Sequence, residues 1–184
     1  MTDRSAPKTL VLVQELVNTL DVETGEDSLT TPDGVAEFAE RQDLRGLGLE
    51  ETGDADLRAI RELRESLRAA CLAHTGTDMP QEAAAKLARL LAAAPLVVTL
   101  DESGRPRLGP AGGLSGAAAL TAEIAAGIAT AEADGSWRRL KACEAHDCLW
   151  VFYDRSPAGR GRWCTMAVCG SRAKMRTYRA KRRA

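Results

Sequence analysis

The sequence predicts an α+β chain: a mostly helical N-terminal domain with a small β-hairpin, then a short cysteine-rich module. Three observations predict it. Apolar residues recur at spacings of three and four through residues 1–135, as helices packed on a core require. Four of the five cysteines crowd into the last 42 residues. Charge and aromatic content also divide where the cysteines begin: residues 1–135 carry 12 basic and 23 acidic groups, net −11, whereas residues 136–184 carry 13 basic groups against Glu144, Asp147 and Asp154, net +10. Of seven aromatic residues, only Phe38 precedes Trp137. A chain of 184 residues holds one ordinary domain and one small module, so the boundary is set at 1–135 and 136–184.

The elements follow in order. Leu12, Val13, Leu16, Val17 and Leu20 predict a first helix from about residue 9. Thr31 as N-cap and Pro32 at the first helical position open a second, with Val35, Phe38 and Ala39 inward. Residues 55–73 give the clearest pattern, with Leu57, Ile60, Leu63, Leu67, Ala70 and Cys71 on one face and Arg and Glu residues on the other. Asp78 and Gln81 suggest a capping box for a helix to about Ala94, with Ala83, Leu87, Leu90 and Leu91 inward; Pro95 ends it. Leu96–Leu100, a turn at Asp101–Gly104 and Arg105–Leu108 predict a hairpin. Ser115 caps a helix to about Ala133 carrying Leu120, Ile124 and Ile128, and Gly135–Ser136 stop it and start another that carries Trp137, a packing residue.

In the tail, Cys143 and Cys148, a 15-residue spacer, then Cys164 and Cys169 give C-x4-C twice. Two thiolate pairs on either side of a hairpin-sized spacer are the ligand set of a tetrahedral structural zinc site. Zinc is therefore the expected cofactor, and its binding is worth roughly 10 kcal/mol or more to a module too small to fold alone. With four thiolates in place there is no open position for a catalytic water. His146, between the first two ligands, is read as an exposed loop residue. Leu149–Tyr153 alternates like a strand, Asp154–Gly161 turns, and Arg162–Thr165 is the expected return strand. Cys169 is placed at the start of a terminal helix, and the layout is that of a treble-clef-like zinc finger.

Along that helix Arg172, Arg176, Arg179 and Arg183 fall on one stripe, flanked by Lys174, Lys181 and Arg182. A solvated tail is the bland account of such a run. Joined to a zinc module with Arg160 and Arg162 on the hairpin, it reads instead as a surface for double-stranded DNA, Arg being suited to phosphate and guanine alike. The alternative partner is an acidic protein surface or structured RNA.

Residues 162–174, R-W-C-T-M-A-V-C-G-S-R-A-K, preceded by C-x4-C and L-W-V-F-Y-D-R-S, closely resemble the CGNR zinc finger. The upstream helices, with Asn18-Thr19 near the end of the first, resemble the ABATE domain that precedes that finger. The resemblance implies a bacterial, stress-induced transcription regulator whose finger binds DNA and whose N-terminal domain senses a small-molecule effector. Cys143, Cys148, Cys164 and Cys169 match the ligands, and Gly170 and Arg172 match the signature. Ser171 replaces the signature asparagine, which leaves metal binding intact but removes an amide from the helix start.

Other chemistry is thin. Gly113-Leu114-Ser115-Gly116-Ala117 lacks the last glycine of a nucleophile elbow and a preceding strand. Cys71 and His74 mimic a nucleophile and base, but Cys71 continues an apolar face and reads as a core thiol. With two histidines in the chain, no acid–base constellation is present and an enzyme is not expected. Asn18 and Thr19 either enter an effector pocket or cap the first helix. No apolar run is long enough to span a bilayer and Met1–Thr9 is no signal segment, so the expected compartment is the reducing cytoplasm. A palindromic operator would suit a homodimer. The opposed charges motivate an autoinhibited state, in which the acidic half covers the basic helix.

Overall fold

The computed structural model describes residues 4–182. Helix α1 (Lys8–Val17) buries Leu10, Val13, Leu16 and Val17. It stops short of the predicted Leu20, which pairs instead across a loop with Asp27. In α2 (Pro32–Arg41) the Thr31 hydroxyl accepts the Gly34 N–H at 3.2 Å, the cap read from the sequence, and Val35, Phe38 and Ala39 are buried.

Helix α3 (Asp54–Ala73) buries the predicted row Leu57, Ile60, Leu63, Leu67, Ala70 and Cys71. Its charged face departs from expectation, because Arg64 and Arg68 are buried as well. Arg64 forks Asp27 at 2.6 and 2.9 Å and also donates to Glu65. Arg68 donates to the Val17 and Leu20 carbonyls at 2.8 and 3.3 Å, satisfying acceptors that the end of α1 leaves unpaired. Long stems along apolar surface let both guanidinium groups reach these acceptors.

Helix α4 (Gln81–Ala92) lacks the expected capping box. Pro80 holds the N-cap position, and a proline has no N–H for Gln81 to accept. No residue of α4 is fully buried; Leu87 and Leu90 pack partly on the core, and Ala83 and Leu91 are half-buried. Strands β1 (Leu96–Leu100) and β2 (Pro106–Pro110) form the predicted antiparallel hairpin, with Leu96 opposite Pro110 and the return strand shifted past Leu108. Val98 and Leu100 stay exposed on it.

Helix α5 (Gly116–Ala133) is apolar on all sides, and it is packed accordingly, against α1, α3, α4 and β2. Gly127 permits the crossing with α1: a Cβ there would lie 2.3 Å from the Thr9 carbonyl oxygen. Ser115 stands at the N-cap but makes no capping bond; Asp56 on α3 accepts the Ala117 N–H at 3.1 Å in its stead.

Past Gly135 the expected helix shrinks to one 3-10 turn, Trp137–Arg139. Trp137 packs on the core with its ring edge-on to His74. Strand β3 (Leu140–Ala142) then pairs antiparallel with β4 (Val151–Tyr153), Leu140 opposite Tyr153. This corrects the sequence reading, which paired β4 with Arg162–Thr165. The nearer strand wins because Leu140, Ala142 and Val151 belong to the same buried core as α1, α3 and α5. The 162 segment is held by one backbone bond, Glu144 N–H to the Arg162 carbonyl at 3.0 Å. Helix α6 (Ser171–Lys181) closes the chain and buries none of its residues.

Arg64 is buried and Asp27 half-buried, so Arg64→Ala leaves the carboxylate without its hydrogen-bonded partner and with only Arg61, 3.9 Å away, as a cation beside it. The unfolding free energy, measured by urea titration, is expected to fall by about 3–5 kcal/mol. Burial acts to raise the Asp27 pKa, but the Arg64 and Leu29 hydrogen bonds outweigh it and hold the carboxyl below its usual 3.8. The pair's stability is therefore present above about pH 4 and is lost as pH falls through the depressed folded value.

Candidate metal centre and nucleic-acid interface

The hairpin β3–β4 aims the first cysteine pair. Cys143 follows β3 directly, and its N–H bonds the Trp150 carbonyl at 2.9 Å; the Cys148 N–H turns back on the Ala145 carbonyl at 2.9 Å. Leu149 adopts φ 52° to bring the chain into β4. The second pair sits on the turn before α6. Thr165 accepts the Val168 N–H at 3.3 Å and caps the wide π-type turn Met166–Gly170, which carries Cys169 to the foot of α6.

The four sulfurs converge. All lie within 4.8 Å of one another, with Cys148 to Cys164 and Cys164 to Cys169 both 3.6 Å apart. A tetrahedral ion bonded to sulfur at about 2.3 Å spaces its ligands by about 3.8 Å, whereas a disulfide needs about 2.05 Å. The spacing fits a shared ion and no disulfide is formed. Cys143, Cys148 and Cys169 are buried, Cys164 partly so. His146 is exposed and outside the group, as the ligand count predicts.

The electrostatics follow from crowding. The Cys143 thiol is pushed down, first by the hydrogen bond from Cys148 and then by that from Cys164. The Cys148 and Cys164 thiols are pushed up, chiefly by their bonds to Cys143, and burial drives Cys169 up to about 12. Once one thiol ionises, its charge opposes ionisation of the next. A dication removes that opposition and lets all four thiolates bind.

A second network anchors the following turn. Lys141 and Asp154 are both buried and paired at 3.0 Å, and Lys141 also donates to the carbonyls of Gly159 and Gly161. Asp154 accepts the N–H groups of Ser156 and Gly161. Sequence reasoning missed this pair; a strand lysine thirteen residues before an aspartate carries no periodic signal.

The ABATE family model, described as "Putative stress-induced transcription regulator", matches residues 10–135, more than half of the chain. The chain belongs to the ABATE family. The CGNR zinc finger model matches residues 139–182, which contain all four converging cysteines. No curated protein matches the chain. The ABATE helices and the finger meet at an unexpected place. Asn18, read as an effector or capping residue, pairs its amide with both backbone groups of Val151, each bond 2.8 Å. Gln14 adds a bond to the Val151 carbonyl at 3.2 Å, and Arg68 one to the Leu149 carbonyl at 3.2 Å. Thr19 does cap α1, donating to the Leu16 carbonyl at 2.7 Å. Both residues also border a surface cavity of about 650 Å³ shared with Glu15, Glu26, Phe38 and Trp150.

The predicted DNA-contact residues divide. Arg160, Lys174, Arg176 and Arg179 are exposed and, among the described residues, have no acidic partner. Arg162 pairs with Glu144, its Nε 2.7 Å from both carboxylate oxygens, and lies over the Trp163 ring. Arg172 reaches back into the ABATE part and pairs with Glu23 at 2.8 Å. Ser171 is spent locally, its hydroxyl donating to the Met166 carbonyl at 3.0 Å. Arg183 lies outside the described residues. Cys71 is buried and pushed up to about 12 by burial, the core thiol that its apolar face predicts.

Asp154→Asn leaves the Lys141 ammonium without its counterion in the interior, and unfolding monitored by circular dichroism should show a loss of about 3–5 kcal/mol. Burial opposes ionisation of Asp154, but its hydrogen bonds to Ser156, Gly161 and Lys141 prevail and hold the pKa at about 2, below its ordinary 3.8. The wild-type advantage over this variant is complete above about pH 4 and fades as pH drops toward 2.

Proposed function

We propose that the protein is a DNA-binding transcription regulator of the cytoplasm, in which zinc held by Cys143, Cys148, Cys164 and Cys169 fixes a cationic helix on the finger. The observation that carries the reading is the convergence of four thiol sulfurs within 4.8 Å at the foot of α6, a helix with no buried residue. All-sulfur, four-fold donor sets favour zinc, and the filled tetrahedron leaves a structural role with no open position for catalysis. No helix among the described residues is long and apolar enough to cross a membrane.

Exposed Lys and Arg on α6, with Arg160 and Arg162, supply the phosphate contacts. A small-molecule effector would have the cavity beside Asn18 and Thr19, which lies on the loop that bears Glu23 and so adjoins the Arg172 contact. An autoinhibited state would use that same contact. It is a single exposed ion pair, and such pairs are weak and screened by salt, so charge alone holds the helix loosely. A homodimer, if the operator is palindromic, has the exposed apolar side of β1–β2 available for pairing.

Protein purified under reducing conditions should contain one zinc per chain by elemental analysis, and removal of the ion by a chelator should abolish duplex binding. With about six phosphates neutralised, log affinity should fall against log salt with a slope near −5. Absence of metal, or a slope near zero, would sink the reading. A preference for single-stranded RNA in competition would favour an RNA-interaction module instead. Glu23→Gln should tighten duplex binding only modestly and only at low salt; an effect that persists at high salt would show the acidic half covering the helix by more than this pair.

A further inference from the structure

The sequence places the DNA contact on the arginine stripe of α6, whereas the structure shows that the helix has two unlike sides. At 100° per residue, Arg172, Arg176 and Arg179 share one side. Arg172 on that side is turned toward the body of the protein, where it meets Glu23 and also feels the charge of Asp147. The opposite side carries Lys174, Tyr178 and Lys181. Together with Arg162, Trp163 and Met166 it forms a groove of about 420 Å³ whose lining contains no carboxylate.

Gly170 makes this groove. A Cβ there would lie 2.7 and 2.9 Å from the Met166 Sδ and Cε and 3.3 Å from Trp163 Cδ1, so any larger residue pushes the thioether away from the start of α6. The floor continues along the helix as Ala173 and Thr177, both small. Met166 and Tyr178 remain about half exposed, at 52 and 54%. Arg162 is already paired with Glu144, so the two lysines supply most of the uncompensated charge. Cations interleaved with flat apolar side chains in a concave track match a sugar–phosphate backbone, which alternates an anion with a weakly polar ring.

We infer that this groove, and not the Arg172 side, receives one strand of the DNA backbone, with Lys174 and Lys181 on phosphates and Trp163 and Tyr178 against deoxyribose. The inference rests on the DNA-binding reading above and specifies which face of α6 performs it. On the arginine side Arg172 is held by Glu23 and tethers the helix, while Arg176 and Arg179 stay exposed.

The test compares two double variants of the full-length zinc-loaded protein, Lys174→Ala/Lys181→Ala and Arg176→Ala/Arg179→Ala, which remove equal charge from opposite faces. Duplex affinity is measured across a salt series, with zinc content confirming an intact finger. The lysine pair should weaken binding by about tenfold or more and reduce the magnitude of the salt slope by about 2, while the arginine pair changes both little. Equal losses from the two variants, or a larger loss from the arginine pair, overturn the inference and leave the DNA-binding function standing. If the wild-type protein shows no zinc-dependent duplex binding, the functional reading fails first, and the two failures are distinguished. Gly170→Ala supplies an independent arm: with zinc retained, it should lose affinity by displacing Met166 and Trp163, and unchanged affinity would count against the groove.

Discussion

The finger depends on a strand edge that it cannot satisfy by itself. A two-stranded hairpin of three residues a side is unstable in water, and β4 leaves the Val151 N–H and carbonyl facing away from β3. Asn18 at the end of α1 meets both groups, as a neighbouring strand would, while Gln14 adds a second bond to the Val151 carbonyl and Arg68 binds the Leu149 carbonyl. The side chains beneath complete the joint: Leu140, Ala142 and Val151 are buried with the helices in a single core. The N-terminal helices thus hold one wall of the cysteine site.

The other wall is held mainly by side chains, with Arg4 donating to the Trp163 carbonyl at 3.0 Å and Arg162 paired with Glu144. Cys164 and Cys169 belong to a segment joined to the hairpin by one backbone bond and to α6 by a wide turn. Crowded thiols repel a second negative charge, so the metal-free cluster resists the full thiolate state that would draw its two halves together. A dication reverses the sign of that interaction. An ion held by the four sulfurs would therefore fix α6 on the hairpin, whereas β3–β4 packs on the ABATE core.

These two constraints explain why α6 can project with every residue accessible. It packs against the turn at its own foot and is guided by a single ion pair to Glu23. A helix mounted in this way presents two faces to solution, and the charge of the body distinguishes them. Glu23 of the acidic N-terminal half holds Arg172 on one face, and the lining of the groove on the other carries no carboxylate.

Legible in the residue order alone were the helices with strong apolar periodicity, the Thr31 cap, the first hairpin and the four-cysteine cluster, because each is set by local spacing or by residue chemistry within a few positions. Cys71 was legible for the same reason, as it continues the α3 stripe. Only the tertiary structure decided the roles of Arg64, Arg68, Asn18 and Lys141. Their partners lie 133 residues away for Asn18, 37 for Arg64 and 13 for Lys141, and a charged or amide side chain gives no periodic sign of which distant carbonyl or carboxylate it will meet. The pairing of β4 was likewise settled by the core, since burial of Leu140 and Ala142 sets residues 140–142 beside it in place of the expected 162–165. The Arg172–Glu23 contact joins chain positions 149 residues apart, which helical periodicity cannot encode.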